Sequence, residues 1–192
     1  MKTTHSRGLR HPDLIDNILV VATRMVADSE CKLSLAAIAK KTSIPSETMR
    51  AIFPKIDVLL DALYLDLCAK RNLLIQALHD PTRSLDERVF SIWQGYVIWA
   101  LNEPIAHKAL SRLNLADSPS SKARVTEVLN FPDQEVAERF ADNNLFAEHD
   151  PVYVDALIIA IVDTTVGLIR LHPEQKSNHL HSGLTLVRRL FF

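Results

Sequence analysis

The chain has 192 residues, of which 47% are apolar and 23% charged. This composition allows a sizeable core, in one large domain or in a small module joined to a larger one, and argues against disorder. The net charge of −1 conceals an uneven distribution. Residues 1–56 carry nine Lys or Arg and five Asp or Glu, whereas the remainder carries 13 Lys or Arg and 18 Asp or Glu. A basic head on an acidic body suits a polyanion-binding head, although chance clustering gives the same numbers.

Cysteine usage and hydropathy bear on the compartment. Two cysteines, Cys31 and Cys68, argue against a disulfide framework. No apolar run reaches the roughly 18 residues of a membrane span, and residues 1–11 lack the apolar stretch of a secretory signal. We therefore expect a cytoplasmic protein without a membrane partner.

Apolar residues recur along the chain at steps of three and four, which is the helical period, and strand-like alternation is absent. The pattern predicts an all-α protein of about nine or ten helices. We divide it into a head, residues 1–56, with three helices, and a body, residues 57–192, that holds the rest. The predicted helices cover residues 12–28, 34–41, 45–52, 54–78, 84–101, 103–114, 119–130, 132–143, 151–172 and 175–191.

The most informative segment of the head is residues 34–53. Ser34 is a plausible N-cap for the first of two short amphipathic helices, and Ile44 lies in the turn, where an apolar side chain holds the two helices together. Two short helices joined by a turn of three or four residues form a helix-turn-helix; an ordinary helical hairpin is the alternative. The second helix is predicted to present Ser46, Glu47, Thr48, Arg50 and Ala51 outward, as suits the major groove of DNA.

Residues 12–63 resemble the N-terminal part of the tetracycline-repressor (TetR) family. The matching residues are Val21 and Ala22, Ser34, Ile38 and Ala39, Ile44, Thr48, Phe53 and Pro54, and Leu59 and Leu60. The resemblance implies a homodimeric repressor that binds a palindromic operator in double-stranded DNA and responds to a small-molecule effector. It also implies that the DNA is contacted by Ser34, Thr48, Arg50 and Lys55. The choice of base is then tuned by Ser46 and Glu47.

Three departures from the family pattern concern DNA binding. Ser43 replaces the turn glycine, which costs of order 1 kcal/mol if the backbone there is left-handed. Arg50 replaces a tyrosine that meets a phosphate, and arginine can make that contact through charge-assisted bonds. Ile56 replaces a lysine, although Lys55 is adjacent. These changes leave open a second hypothesis, a helical dimer of the same fold with degenerate DNA binding that acts through ligand or protein partners.

An aromatic stripe marks the body helix predicted over residues 84–101, which begins at a capping box formed by Ser84 and Glu87. Trp93, Tyr96 and Trp99 recur there at helical spacing. Such a stripe usually belongs to the core. It can also form the wall of a pocket, with Phe131 as a further lining residue. Because no charged cluster accompanies it, we expect a small apolar or aromatic effector.

The two closing helices, residues 151–172 and 175–191, indicate oligomerisation. The first is apolar on more than one face, and such a helix must be buried on all sides. We therefore predict a four-helix interface between two copies of the chain.

Catalytic and metal-binding motifs are absent from the sequence. There are eight histidines, but His172, His179 and His181 lack the cysteine or carboxylate that would complete a tetrahedral zinc site. Glycine-rich phosphate loops and nucleophile elbows are also missing. We expect no enzymatic activity, no cofactor and no metal.

Overall fold

A computed structural model describes residues 11–28, 30–116, 118–142 and 151–191, and all regular structure in these ranges is helical. The predicted all-α class is confirmed. Residues 1–10, which supply three of the nine basic residues of the head, lie outside the described residues. The helices are α1 His11–Ala27, α2 Leu35–Thr42, α3 Ser46–Ile52, α4 Ile56–Leu78, α5 Leu85–Asn102, α6 Pro104–Leu115, α7 Ser121–Leu129, α8 Gln134–Asp142, α9 Pro151–Leu171 and α10 Lys176–Phe191, with a 3₁₀ turn Pro173–Gln175 before α10.

Side-chain caps set the first turns of two helices as the sequence indicates. The Ser34 hydroxyl oxygen accepts a hydrogen bond from the backbone nitrogen of Ala37 over 3.1 Å at the start of α2. At the start of α5, Glu87 N donates to Ser84 Oγ, and Glu87 Oε2 accepts from Ser84 N, which completes the predicted capping box. Each bond satisfies a backbone or side-chain group that the helix end would otherwise leave without a partner.

The core is a single apolar cluster that runs from the head into the body. Ile18, Ile38 and Met49 contribute from the three head helices, and Leu67 and Val97 contribute from the body. Helix α1 packs against α4 and α6. The head is therefore seated on the body through buried side chains.

Helices α9 and α10 form a hairpin through the short connection at residues 172–175, and both pack against α5. Val162, Val166 and Ile169 of α9 are buried, as are Leu184 and Val187 of α10. None of the helices in the described ranges is both long and apolar enough to span a membrane.

Candidate functional sites

The turn between α2 and α3 brings the two helices together as a helix-turn-helix. Ser43 takes the left-handed conformation, with φ 56° and ψ 29°, and ends α2. The backbone nitrogen of Ile44 then donates to the carbonyl oxygen of Ala39 over 3.0 Å, and the Ile44 side chain is buried. Three residues, 43–45, separate α2 from α3, and the two helices pack against each other.

Helix α3 has one buried and one exposed face. Met49 is buried, and Phe53, the residue after Ile52, is buried as well. Ser46, Glu47 and Arg50 are exposed. Ala51 is also exposed, whereas Thr48 is half-buried. The helix thus offers a short polar surface held by an apolar anchor on its other side.

Ser34 and Lys55 flank the α2–α3 unit. Ser34 is half-buried and its oxygen caps α2, so its hydroxyl proton remains available for an acceptor. Lys55 is exposed and directly precedes α4. Ile56 is half-buried and packs on the apolar cluster. At the start of α4, Ile56 therefore packs against the core, and Lys55 beside it is an exposed cation.

The aromatic residues of α5 lie in two places, Trp93 against α10 and Tyr96 and Trp99 around a histidine of α6. Trp93 is buried, and its Nε1 donates to the backbone oxygen of Leu180 in α10 over 3.1 Å. This contact makes Trp93 a core residue that joins α5 to α10. Phe131, in the connection between α7 and α8, is half-buried against the apolar cluster.

Tyr96 and Trp99 surround a buried histidine of α6. The ring centroids of Tyr96 and Trp99 lie 5.8 Å and 5.9 Å from that of His107, both in edge-to-face geometry. His107 Nε2 pairs with Asp163 Oδ1 of α9 over 2.8 Å. Burial lowers the pKa of His107, and the Asp163 carboxylate opposes part of this shift. The guanidinium of Arg71 lies over the Tyr96 ring, 5.2 Å from its centroid.

A groove of about 690 Å³ lies where the head meets the body. Its walls come from α1, α4, the end of α5 and the start of α6. Of the four predicted effector residues, Trp99 lines this groove; Trp93, Tyr96 and Phe131 are not among its lining residues. Sequence reasoning missed the groove, since side chains from four separate helices form it and no single segment carries a pattern for it.

One side of α9 is exposed in the part of the helix whose side chains are described, residues 157–171. Ala160, Thr164, Leu168 and Leu171 are exposed and recur at steps of four and three, so they share one side of the helix. Leu171 is 73% exposed, and Leu186 of α10 is 51% exposed.

Among the described residues, no group of three or more His, Cys, Asp or Glu is placed to hold a metal ion.

Several solved structures share this fold. A protein assigned to the tetR family of transcription regulators from Shewanella sp. PV-4 matches with a TM-score of 0.69 and 17% identity, over 90% of this chain and 95% of its own. A TetR-like transcriptional regulator from Rhodococcus sp. RHA1 matches with a TM-score of 0.59 and 15% identity, over 95% and 96%. A protein assigned as a TetR-family transcriptional regulator from Vibrio parahaemolyticus matches with a TM-score of 0.51 and 18% identity, over 88% and 96%. No protein-family model matches the chain.

These matches cover both the head and the body, at 15–18% identity. The resemblance that residues 12–63 carry to the TetR family is therefore confirmed for the fold. The helix-turn-helix in the head and the all-helical body are parts of that fold.

Proposed function

We propose that the protein is a DNA-binding transcriptional regulator that acts as a homodimer, and that it is a repressor which a small effector releases from a palindromic operator. The observation that carries this proposal is the geometry of α3. Met49 and Phe53 anchor the helix, and Ser46, Glu47 and Arg50 are exposed on it. A recognition helix needs this combination, because its backbone must be fixed while its polar side chains reach base edges.

The residue types on α3 suit the major groove. Ser46 can donate to or accept from a base or a phosphate, and the Glu47 carboxylate can accept from the amino group of cytosine. Arg50 can form a bidentate contact with guanine or a charge-assisted bond with a phosphate. Thr48 is half-buried, and in the proposal the part of it that remains exposed contacts the DNA.

Phosphate contacts flank this helix in the proposal. The Ser34 hydroxyl can donate to a phosphate oxygen while its oxygen caps α2. Lys55 supplies a positive charge at the N-terminus of α4, where the helix dipole also favours an anion. Together they position the recognition helix without reading sequence.

The outward face of α9 supports a two-fold dimer. Leu168 and Leu171 of α9 and Leu186 of α10 are exposed leucines on the closing hairpin. A second copy of the hairpin would bury them in a four-helix interface. A two-fold dimer presents two recognition helices, and these match a palindromic operator when they lie roughly 34–36 Å apart.

An effector would act by a shift in population. If it binds better to a dimer whose recognition helices no longer match this spacing, the fraction of DNA-competent dimer falls. The size of the effect is limited by the difference in effector affinity between the two arrangements.

The DNA proposal is tested by selecting genomic fragments with purified protein and then titrating salt on the enriched DNA. We expect a palindromic site whose binding weakens steeply with salt. Arg50→Ala should weaken binding by about tenfold or more. Arg83→Ala removes an exposed arginine of the body and serves as the matched control, with binding unchanged. If no site is enriched and the protein is a clean dimer, the hypothesis of degenerate DNA binding is favoured instead.

The dimer proposal is tested by sedimentation at micromolar concentration. Leu168→Glu combined with Leu171→Glu should convert a dimer into a folded monomer, because two charges cannot be buried against a second copy. Leu115 of α6 is 50% exposed, and Leu115→Glu should leave the dimer intact. A wild-type protein that sediments as a monomer would contradict the proposal.

A further inference from the structure

The groove between head and body has the size and lining of a small-molecule site. Its volume of about 690 Å³ lies within the range of ligand pockets, roughly 300–1,000 Å³. We propose that this groove binds a small amphipathic anion, a molecule with an aromatic or aliphatic body and one carboxylate or sulfonate. Of the aromatic stripe of α5, Trp99 lines this groove, whereas Trp93 and Tyr96 are not among its lining residues.

Exposed apolar side chains form the walls of the groove. Val20 of α1, Leu73 of α4 and Ile105 of α6 are 43%, 65% and 52% exposed, and all three line it. The buried Trp99 contributes an aromatic surface. Covering three such side chains is favourable by about 25 cal/mol per Å² of apolar surface removed from water, so the body of the ligand is apolar.

The charges in the groove favour an anionic end. Arg24 of α1 and Lys70 of α4 line it, and Glu103 is the lining carboxylate. Arg24 is exposed in the last turn of α1. Lys70 is bound to Asp66 over 2.6 Å but its side chain is 53% exposed, so it can turn toward a ligand. Asp66 is not among the lining residues, so two cations and one carboxylate line the groove, and the Lys70 ammonium has donors for both Asp66 and a ligand anion.

Occupation of the groove would join the head to the body. Arg24 belongs to the head and Lys70 to the body, so an anion held by both adds a contact across the junction. If the protein is the regulator proposed above, such a ligand restricts how the head can tilt and thereby changes the spacing of the two recognition helices. This consequence rests on the proposed function, whereas ligand binding itself does not.

Two fluorescent probes of matched shape test the site. 8-Anilinonaphthalene-1-sulfonate is an aromatic anion, and N-phenyl-1-naphthylamine has the same ring system without the charge. Leu73→Gln combined with Ile105→Gln should weaken the binding of both probes by about fivefold or more. The matched control is Val125→Gln combined with Leu129→Gln on α7, where both side chains are more than half exposed outside the groove. It should leave the affinity for both probes within about twofold of wild type.

Charge variants test the class of ligand. Arg24→Gln combined with Lys70→Gln should weaken sulfonate binding by about fivefold and leave the uncharged probe unaffected. Glu103→Gln should strengthen sulfonate binding, since it removes the carboxylate that repels the anion. Lys122→Gln, which removes an exposed lysine of α7, is the control and should change neither.

Different results would contradict the site and the class of ligand. If the α7 pair reduces probe binding as much as the groove pair, or the groove pair has no effect, the site is overturned. If the charge variants affect both probes equally, the anionic class is overturned. Because no DNA is present, these failures are distinct from failure of the DNA-binding proposal, which the fragment selection alone decides.

Discussion

Arg112 of α6 donates a hydrogen bond from Nη1 to the backbone carbonyl oxygen of Val26, over 3.0 Å. Val26 lies in the last turn of α1, where backbone carbonyls lack partners within the helix and a cation also opposes the negative end of the helix dipole. The bond therefore joins the body to the head at a group that the head cannot satisfy alone.

Arg112→Met should loosen this junction, because it keeps an apolar stem of similar shape and removes the donor. We expect a loss of about 1–2 kcal/mol in the free energy of unfolding, together with faster amide exchange in the last turn of α1. Urea denaturation and hydrogen exchange measure the two effects. Arg83→Met, which changes an exposed arginine, is the control. Unchanged exchange at Val26 and Ala27 in Arg112→Met would show that the bond does not hold the head.

Ser43 is the one non-glycine residue with positive φ in the described part of the chain. A side chain costs roughly 1 kcal/mol in this conformation, and glycine avoids that cost. Ser43→Gly should therefore stabilise the protein by up to about 1 kcal/mol and raise Tm by about 2–4 °C. Ser43→Ala keeps the Cβ and should bring no gain. A lower Tm for the glycine variant would mean that the serine hydroxyl contributes more than the backbone costs.

The head could be predicted closely from the sequence because its signals are local. The Ser34 cap, the apolar spacing of α2 and α3 and Ile44 in the turn lie within 20 residues, and the structure places each as its type requires. The suspected left-handed conformation at Ser43 is also present. These features depend on short-range geometry, which residue type and spacing largely determine.

The body was less predictable because its side chains find partners far along the chain. The spacing of Trp93 and Trp99 on α5 is the same whether a ring meets a neighbouring helix or a cavity. The environment of Trp93 is determined by its hydrogen bond to Leu180, 87 residues away. That of Trp99 is determined by its contact with His107 and by its position in the groove. The groove forms only when α1, α4 and α6 bring Arg24, Lys70 and Ile105 close together in the folded chain. The spacing of residues within one helix cannot predict this proximity.

Gly183 of α10 lies against α5 and α9 at a distance that excludes a methyl group. A Cβ at this position would lie 2.5 Å from Thr165 Oγ1 and 2.5 Å from Trp93 Cζ2. The bond from Trp93 to Leu180 limits how far the indole can move. Gly183→Ala should therefore cost about 1–3 kcal/mol, as overpacking does in other cores.

Ser182→Ala provides the comparison, since Ser182 is the preceding, exposed residue of the same helix. It should leave the free energy of unfolding within about 0.5 kcal/mol of wild type. Urea denaturation of both variants, at equal protein concentration, measures the difference. A Gly183→Ala variant as stable as the wild type would show that α10 can move away from Trp93 without loss.

His107 gives the protein a stability that depends on pH. Its pKa is lowered from the ordinary value of 6.5, first by burial, and the charges of Arg170 and Arg71 lower it further while Asp163 opposes them. The unfolded chain therefore takes up a proton near pH 6.5, and the folded chain takes it up only at lower pH. Between these two values the unfolded state binds more protons, so the free energy of unfolding falls as the pH is lowered through that window.

His107→Gln tests this contribution because the Gln amide can still donate to Asp163 and does not titrate. Urea denaturation between pH 7.5 and 5.5 should show a wild-type stability that declines on acidification more than that of His107→Gln. His181→Gln removes an exposed histidine of α10 and should keep the wild-type profile. A stability difference between wild type and His107→Gln that stays constant with pH would mean that burial and the Asp163 pair cancel. A wild-type advantage that grows on acidification would mean that the ion pair outweighs burial and that the pKa of His107 is raised.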